Sequence, residues 1–353
     1  MLRLPDLRVA LDATPLTLTS GGLRRYVEQL SLALATAYPS DTYTLLSDQK
    51  FEAPEGAPGN LRAVTRPVPR FWSWGVRGAL RELQADVFHG TNFEVPYLGK
   101  TPAILTIHDL SPWKDPAWHS GAARVRQRTP WLVRLGRAKL ILTVSEAMGR
   151  EIAGHFGLPA EKIRAVPLAA SGIFRQLSTP APEQPYFLFV GTLEPRKNLA
   201  ALVEAWQAVR AVRDIDLWIV GRERADFVPF PEIPGLKILG EVSDTDLPAL
   251  YSNALAFVYP THYEGFGLPV LEAMQCGCPV ITSRDPAVTE VSGGAAMHTG
   301  NTGELAAAMA AVAGNPDLRS RLSAAGLLRA RAFSWALTAQ KTRRVFEEAS
   351  GAK

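Results

Sequence analysis

The chain alternates between two hydrophobic patterns. Short runs rich in Val, Ile, Leu and Phe, typical of buried parallel strands, are separated by segments in which Leu, Val and Ala recur at helical spacing. Helical spacing is clearest over residues 22–37 and 146–156. The predicted strands of the first half are 7–12, 42–46, 86–89, 103–108, 139–144 and 163–166. Strands that alternate with helices predict an α/β fold built on parallel sheets.

The same alternation restarts after residues 173–185, a Pro-rich and polar segment that we interpret as a linker. The predicted strands of the second half are 186–190, 216–220, 236–239, 255–259 and 279–282. From residue 302 the pattern is helical, with Pro316 opening one helix and residues 333–335 marking the start of the last. We therefore expect two doubly wound domains, which bind ligands at the carboxyl ends of their strands.

Composition supports two ordinary globular domains. The chain has 353 residues, of which 47% are hydrophobic and 20% charged. We see neither a signal peptide nor an apolar run of the roughly 20 residues that a membrane-spanning helix needs, and we expect a cytoplasmic protein. The two cysteines, Cys276 and Cys278, have no histidine or further cysteine nearby, which favours buried reduced thiols over a zinc site.

Positive charge is concentrated in one stretch. The net charge is only +4, but residues 61–139 hold 13 Lys and Arg against 5 Asp and Glu, with five of the eight tryptophans. Residues 66–137 therefore suit peripheral contact with an anionic membrane, here the inner face of the plasma membrane. The alternative is a solvated basic face over a Trp-containing core. Nucleic acid is not expected, because no binding motif accompanies the charge.

The most informative motif places two glutamates, Glu264 and Glu272, on either side of seven residues that include Gly-Phe-Gly. Pro269 is expected in the first turn of a helix that stops near Gly277. The glycines would let backbone N–H groups approach a polar ligand at the helix N-terminus. Glu264 would lie in the loop before the helix and Glu272 about one turn inside it. The two carboxylates could therefore accept hydrogen bonds from the hydroxyls of a sugar and of a ribose.

Three further segments carry candidate chemistry at strand ends. Arg196 and Lys197 follow the strand 186–190, where they could neutralise a diphosphate or simply be solvated. The pair Gly21-Gly22 before a helix could cradle a phosphate or form a plain tight turn. His108 ends the strand 103–108, where it could contact a substrate hydroxyl or serve a structural role.

Together these segments resemble the retaining family 4 glycosyltransferases. The resemblance is carried by Gly-Thr-Leu-Glu-Pro-Arg-Lys-Asn at 191–198, the glutamate motif, Ser-Gly-Gly-Leu-x-Arg-Tyr at 20–26, Ile-His-Asp at 107–109, Val-Ser-Glu at 144–146 and Phe-Ser-Trp at 333–335. It covers nearly the whole chain, with the motifs in the family's order. It implies the GT-B fold, in which two Rossmann-like domains face each other across a cleft.

The resemblance also implies domain bounds and site roles. Residues 1–172 plus 335–353 would bind the acceptor and 186–334 the nucleotide sugar. Arg196 and Lys197 would hold the donor diphosphate, helped by the amides of Gly21 and Gly22. Glu264 and His108 would lie by the donor sugar, and Glu272 would bind the ribose. The other implied donor contacts are Gly191, Gly265, Phe266, Gly267 and Leu268.

The expected activity is retaining transfer of a hexose from a nucleotide diphosphate sugar to a glycan or lipid-linked acceptor. The motif variants look most like mannosyltransferases of surface-polysaccharide pathways, which suggests GDP-mannose. The resemblance implies neither a metal nor another cofactor, because Arg and Lys would stabilise the leaving group. Two alternatives from other classes are a GT-B-like epimerase and a non-catalytic nucleotide-sugar binder.

Overall fold

A computed structural model describes residues 6–18, 21–115, 118, 121–180, 182–224 and 227–351. Thr19 and Ser20, which precede the predicted Gly21-Gly22 turn, lie outside the described residues. The chain divides into two compact units. Unit one comprises Met1–Leu168 and Ser334–Lys353, and unit two comprises Ala169–Phe333.

The described residues form strands and helices in alternation. The strands are β1 (Arg8–Asp12), β2 (Thr42–Ser47), β3 (Leu61–Thr65), β4 (Val87–Gly90), β5 (Ala103–Ile107), β6 (Leu140–Thr143), β7 (Ile163–Ala165), β8 (Tyr186–Val190), β9 (Asp216–Val220), β10 (Leu236–Gly240), β11 (Ala256–Tyr259), β12 (Val280–Ser283) and β13 (Met297–Thr299). The helices are α1 (Gly22–Ala37), α2 (Val76–Glu82), α3 (Ser111–Lys114), α4 (Ala123–Arg134), α5 (Glu146–Phe156), α6 (Leu199–Arg210), α7 (Leu247–Asn253), α8 (Leu268–Gln275), α9 (Pro286–Ser292), α10 (Thr302–Gly314), α11 (Pro316–Ala330) and α12 (Trp335–Ser350). Short 3₁₀ or π turns lie at Thr14–Thr17, Phe71–Gly75, Ala160–Lys162, Pro195–Lys197 and Gly293–Ala295.

Each unit is built on one parallel sheet. The order in unit one is β3-β2-β1-β4-β5-β6-β7, and in unit two it is β10-β9-β8-β11-β12-β13. The strand order reverses between β1 and β4 and again between β8 and β11. Open α/β sheets bind ligands outside the carboxyl ends of the strands at such a reversal. The topology therefore directs attention to the segments that follow β1 and β4 in unit one, and β8 and β11 in unit two.

The predicted elements agree closely with the structure where the hydrophobic pattern was strong. Helices 22–37 and 146–156 and strands 186–190 and 216–220 have the predicted ends. Two strands were missed. β3 lies at the edge of its sheet, and only its first residue is buried, so the sequence carries no apolar run. β13 has only three residues, and two of them, His298 and Thr299, are polar, so its apolar signal is weak.

Local signals explain why several helices begin and end where they do. The hydroxyl of Ser145 accepts a hydrogen bond from the Met148 amide at 3.1 Å and so caps the N-terminus of α5. Gly157, with φ of 62°, ends that helix. Pro269 lies in the first turn of α8, and Gly277 follows its end with φ of 69°. The positions of Pro269 and Gly277 are those that the sequence predicted.

The last helix, α12, belongs to unit one and packs against α1. The guanidinium of Arg343 donates to both carboxylate oxygens of Asp41, at 2.8 and 3.1 Å, and both side chains are almost completely buried. Thr338 donates its hydroxyl hydrogen to the Pro167 carbonyl at 2.8 Å. A buried ion pair therefore attaches the end of the chain to unit one. Within the described part of the chain, no helix is both long and apolar enough to span a bilayer.

Candidate functional site

In unit two, Lys197 and Glu264 meet at the reversal of strand order. Lys197 lies in the turn after β8, and Glu264 lies in the loop after β11, the neighbouring strand. The Lys197 ammonium forms an ion pair with the Glu264 carboxylate and donates to the hydroxyl of Tyr259 at 2.6 Å. Both charged side chains are buried. A buried lysine at a ligand-binding edge suits an anionic substrate, because little water competes for its charge.

Several donors converge on one oxygen of Glu264. Its Oε1 accepts from the Tyr259 hydroxyl at 2.8 Å and the Thr261 hydroxyl at 3.1 Å, and it lies 3.1 Å from Nη1 of Arg196. Burial alone would raise the pKa of Glu264, but the charges of Arg196 and Lys197 outweigh it and lower the pKa to about 2. Glu264 is therefore ionised at neutral pH.

Arg196 lies between two carboxylates. Its Nε lies 2.6 Å from Oε1 of Glu194, but the N–H bond is not directed at that oxygen, so the contact is an ion pair and not a hydrogen bond. Its Nη1 donates a hydrogen bond to the Tyr263 carbonyl at 2.9 Å. Arg224 lies 3.4 Å from the other Glu194 oxygen. Three cationic side chains therefore lie against the carboxylates of Glu194 and Glu264, and arginine and lysine are the side chains that bind phosphate groups.

The loop that carries Glu264 leads into the N-terminus of α8. Gly267 precedes the helix with φ of 94°, a conformation that favours glycine, and Leu268 is its first residue. The ring of Phe266 is buried against Phe333, which anchors the loop. The first turn of α8 has no acidic residue, so its positive end is not neutralised from within the helix.

The remaining candidates of unit two lie at the same edge or just inside it. Gly191 follows β8 with φ of 156°, and its amide donates to the Val220 carbonyl at 2.9 Å. Glu272 is buried on α8, where Oε2 accepts from the Tyr251 hydroxyl at 3.2 Å. That contact holds the carboxylate in one orientation. The predicted contact of Glu272 with ribose stays a prediction.

In unit one, Gly21 and Gly22 begin α1 at the carboxyl end of the sheet. Gly21 is the N-cap residue, with φ of 113°, and no atom of the described residues lies within 4 Å of where a side chain on either glycine would begin. Nη1 of Arg24 donates to the carbonyls of Leu16 and Leu18 at 2.6 and 2.8 Å, which holds the preceding segment in place. This arrangement leaves the glycine backbone accessible to a ligand.

His108 directly follows β5, one residue beyond the strand's last hydrogen-bonded position. Its Nε2 lies 2.8 Å from the carbonyl oxygen of Thr91, and its ring packs edge-on against Tyr26 at 4.8 Å. A carbonyl can only accept, so Nε2 carries the hydrogen and Nδ1 is an acceptor. Burial lowers the pKa of His108, which keeps the imidazole neutral at physiological pH.

The sequence identified the charged residues of unit two but missed the side chains that hold them. Arg196, Lys197 and Glu264 form one cluster, as expected of a shared site. Tyr259 and Thr261, which bind Glu264, were not singled out because their role depends on a contact between two loops. Glu194 belongs to the motif at 191–198. Its position two residues before Arg196 was the signal from which their ion pair could have been predicted.

A second feature of unit one is a group of exposed and partly exposed aromatic, apolar and basic side chains, which we call the aromatic-basic surface. Its exposed members include Trp74 (56% exposed) and Trp131 (51%). Tyr97 contacts both segments, since its amide donates to the carbonyl of Trp72, two residues before Trp74, at 2.8 Å and its ring lies 6.2 Å from that of Trp131. The other members are Arg77, Leu98, Arg128, Leu135 and Arg137.

Comparison with known proteins identifies the class to which this fold and site belong. Residues 20–170 match the family model described as Glycosyltransferase Family 4, and residues 173–329 match the model described as Glycosyl transferases group 1. The chain belongs to the family 4 glycosyltransferases and has the GT-B fold. It is a hexosyltransferase of that family. This agrees with the resemblance seen in the sequence and favours a transferase over the epimerase and the non-catalytic binder.

Individual relatives differ in the reactions that their names describe. The O-antigen chain mannosyltransferase B of Escherichia coli is 35% identical over 297 residues, which is 76% of this chain and 74% of the relative. A glycogen synthase of Mycobacterium tuberculosis is 27% identical over 92% of this chain and 91% of its own. The sucrose-phosphate synthase of Thermosynechococcus elongatus has a similar structure, with a TM-score of 0.78, 20% identity and coverage of 98% and 100%.

Proposed function

We propose that this chain is a retaining mannosyltransferase that moves mannose from GDP-mannose to a glycan or lipid-linked acceptor. The observation that carries the proposal is the buried cluster of Lys197, Arg196 and Glu264 at the strand-order reversal of unit two. The choice of mannose rests on the 35% identity to an O-antigen mannosyltransferase. Unit two would bind the donor, and unit one would bind the acceptor.

We assign Lys197 and Arg196 to the donor diphosphate. In the reaction the bond between the sugar C1 and a phosphate oxygen breaks, and the leaving diphosphate gains negative charge. Buried cations placed beforehand stabilise that charge without reorganisation, as an oxyanion hole does. Gly21 and Gly22 would add backbone N–H donors to the diphosphate, and Glu272 would accept from the ribose hydroxyls.

We assign Glu264 to the sugar hydroxyls and not to covalent catalysis. Its Oε1 is held by Tyr259, Thr261 and the two cations, so we infer that Oε2 is the oxygen offered to the sugar. A carboxylate with a pKa near 2 is a weak nucleophile. The acceptor oxygen would attack C1 on the face that the diphosphate leaves, and its proton would pass to a diphosphate oxygen. His108 would accept a hydrogen bond from a sugar hydroxyl through Nδ1.

Donor identity is tested by a thermal-shift panel of GDP-, UDP-, ADP- and dTDP-sugars. We expect GDP-mannose to raise the melting temperature most, because a ligand at 100 times its Kd adds about 2.7 kcal/mol to the stability of the native state. Transfer of mannose to a glycan or lipid extract is then measured with and without EDTA, and the anomeric configuration of the product is read by NMR. Stabilisation by UDP-sugars alone would contradict the choice of GDP-mannose.

We also propose that the aromatic-basic surface attaches unit one to anionic bilayers, which would bring the enzyme to a lipid-linked acceptor. Trp74 lies beside the guanidinium of Arg77, and Arg128 lies over the ring of Tyr97. Interfacial tryptophans and basic side chains are the residues that bind headgroups, with each Lys or Arg contributing about 1 kcal/mol. Trp72 lies in the same basic stretch, but it is partly buried and packs on Phe71, so we do not include it in this surface.

Co-sedimentation with phosphatidylglycerol vesicles tests this surface. We expect the wild-type protein to bind at low salt and to dissociate at high salt, because screening weakens attraction between exposed charges. The double variant Trp74→Ala/Arg128→Glu should bind far less, whereas Leu328→Ala, which alters an exposed apolar residue of unit two, should bind normally. If the wild-type protein does not bind at low salt, the surface is only a solvated basic face, and a soluble acceptor is favoured.

A further inference from the structure

Asp285 connects the loop that carries Glu264 to the helix α9. Its Oδ1 accepts from the amides of Ala287 and Val288, both at 3.0 Å, and so caps α9. Its Oδ2 accepts from the backbone amide of Glu264 at 3.3 Å. The Asp285 side chain is buried, so loss of this acceptor would leave the Glu264 amide without a partner in a site with little water, which is unfavourable.

The same loop touches α9 at a second point. A side chain carbon added to Gly267 would lie 3.2 Å from Cγ2 of Val288, which is closer than ordinary packing permits. Residues 264–267 are therefore attached to the first turn of α9 by a hydrogen bond at one end and by close packing at the other. The Glu264 side chain points to Lys197, while its backbone is held by Asp285.

We propose that Asp285 is a positioning residue for sugar transfer. Its second carboxylate oxygen fixes the backbone of Glu264 and thereby the carboxylate and the Gly265–Gly267 amides that would receive the sugar. The inference rests on the proposed function, because it takes this loop to be the sugar-binding segment. An N-cap needs only one oxygen, so Oδ2 is the atom whose role is new. A shift of about 1 Å in a reacting group can lower the rate about 100-fold.

The decisive variant is Asp285→Ser. Serine is a good N-cap, so its hydroxyl preserves the end of α9, but it lacks the second oxygen that reaches Glu264. We expect kcat/KM for GDP-mannose to fall about tenfold or more, because the sugar-binding loop shifts, while the affinity for GDP changes less than about twofold. Amide hydrogen exchange should become faster at residues 264–267.

Asn301→Ala is the matched control. Asn301 caps α10 in the same unit by accepting from the Glu304 amide at 2.9 Å, and it has no contact with the 264–267 loop among its described hydrogen bonds. We expect this variant to lower the melting temperature with unchanged kcat/KM and unchanged exchange at 264–267. Asp285→Ala should combine both losses.

The outcomes separate this inference from the proposed function. If Asp285→Ser keeps normal kcat/KM and normal exchange, Asp285 is only a helix cap and the inference is wrong. If the wild-type protein transfers no mannose, the proposed function is wrong. Exchange at 264–267 then still decides whether Asp285 holds the loop, because that measurement needs no donor.

Discussion

Replacing Lys197 by alanine should lower the turnover of sugar transfer about 100-fold. Removing one preorganised donor from a site of developing negative charge typically costs about 2.7–4 kcal/mol of transition-state stabilisation. Lys197 is buried and ion-paired to Glu264, so little water is positioned to replace it. Steady-state kinetics with the donor identified by the thermal-shift panel, together with circular dichroism to verify folding, measures the effect.

Lys237→Ala provides the control for that experiment. Like Lys197, Lys237 lies beside an aromatic ring and pairs with a carboxylate. Its ammonium is 5.0 Å from the ring centre of Trp218 and 3.0 Å from Asp216. It is on β10, away from the strand-order reversal, and its side chain is 48% exposed. We expect normal turnover from Lys237→Ala. Near-normal turnover from Lys197→Ala as well would show that the end of β8 is not the donor site.

Arg343→Met should lower the free energy of unfolding of unit one by about 3–5 kcal/mol. Breaking a buried ion pair by removing one partner leaves an uncompensated charge, and that penalty exceeds the loss of the interaction itself. The partner is Asp41, which is fully buried and also accepts from the Leu7 amide and the Tyr43 hydroxyl. Urea denaturation followed by fluorescence and circular dichroism measures the change.

Arg164→Ala is the comparison, because Arg164 on β7 forms an exposed ion pair with the same helix, α12. Arg164 pairs with Glu348 of α12, but the two side chains are 33% and 44% exposed, and exposed pairs contribute about 0–1 kcal/mol. We expect the two arginine variants to differ clearly in stability. An equal loss in both would show that burial does not set the importance of the Asp41 pair. Adding Asp41→Asn to Arg343→Met should restore part of the stability, because the unpaired charge is removed.

The site was predictable from the sequence where its residues are close together in the chain. Arg196 and Lys197 follow an uninterrupted apolar strand, and Glu264 precedes a helix start marked by Pro269, so all three could be placed at strand ends. Hydrophobic periodicity and turn residues determine such placements locally. Their meeting in one cluster depends on the adjacency of β8 and β11, which are neighbours in the sheet although β9 and β10 lie between them in sequence.

Structural roles that depend on distant contacts could not be predicted in this way. Asp285 gave no motif, because its hydrogen bond to the Glu264 amide spans 21 residues and exists only once β11 and β12 are paired. The exposed position of Trp74 and the partly buried position of Trp72 are a similar case. Both lie in the same basic segment, and only packing against Phe71 and Phe88 distinguishes them.

The sequence by itself determined the α/β class, the two-part organisation and the family, because these follow from short-range periodicity and from motifs that stand in the family's order along the chain. The tertiary structure decided which charges are paired. It put Arg196 between Glu194 and Glu264, tied Glu264 to α9 through Asp285, and buried Arg343 against Asp41. Burial and partner distance set the energy of a charge, and both depend on residues that are remote in sequence.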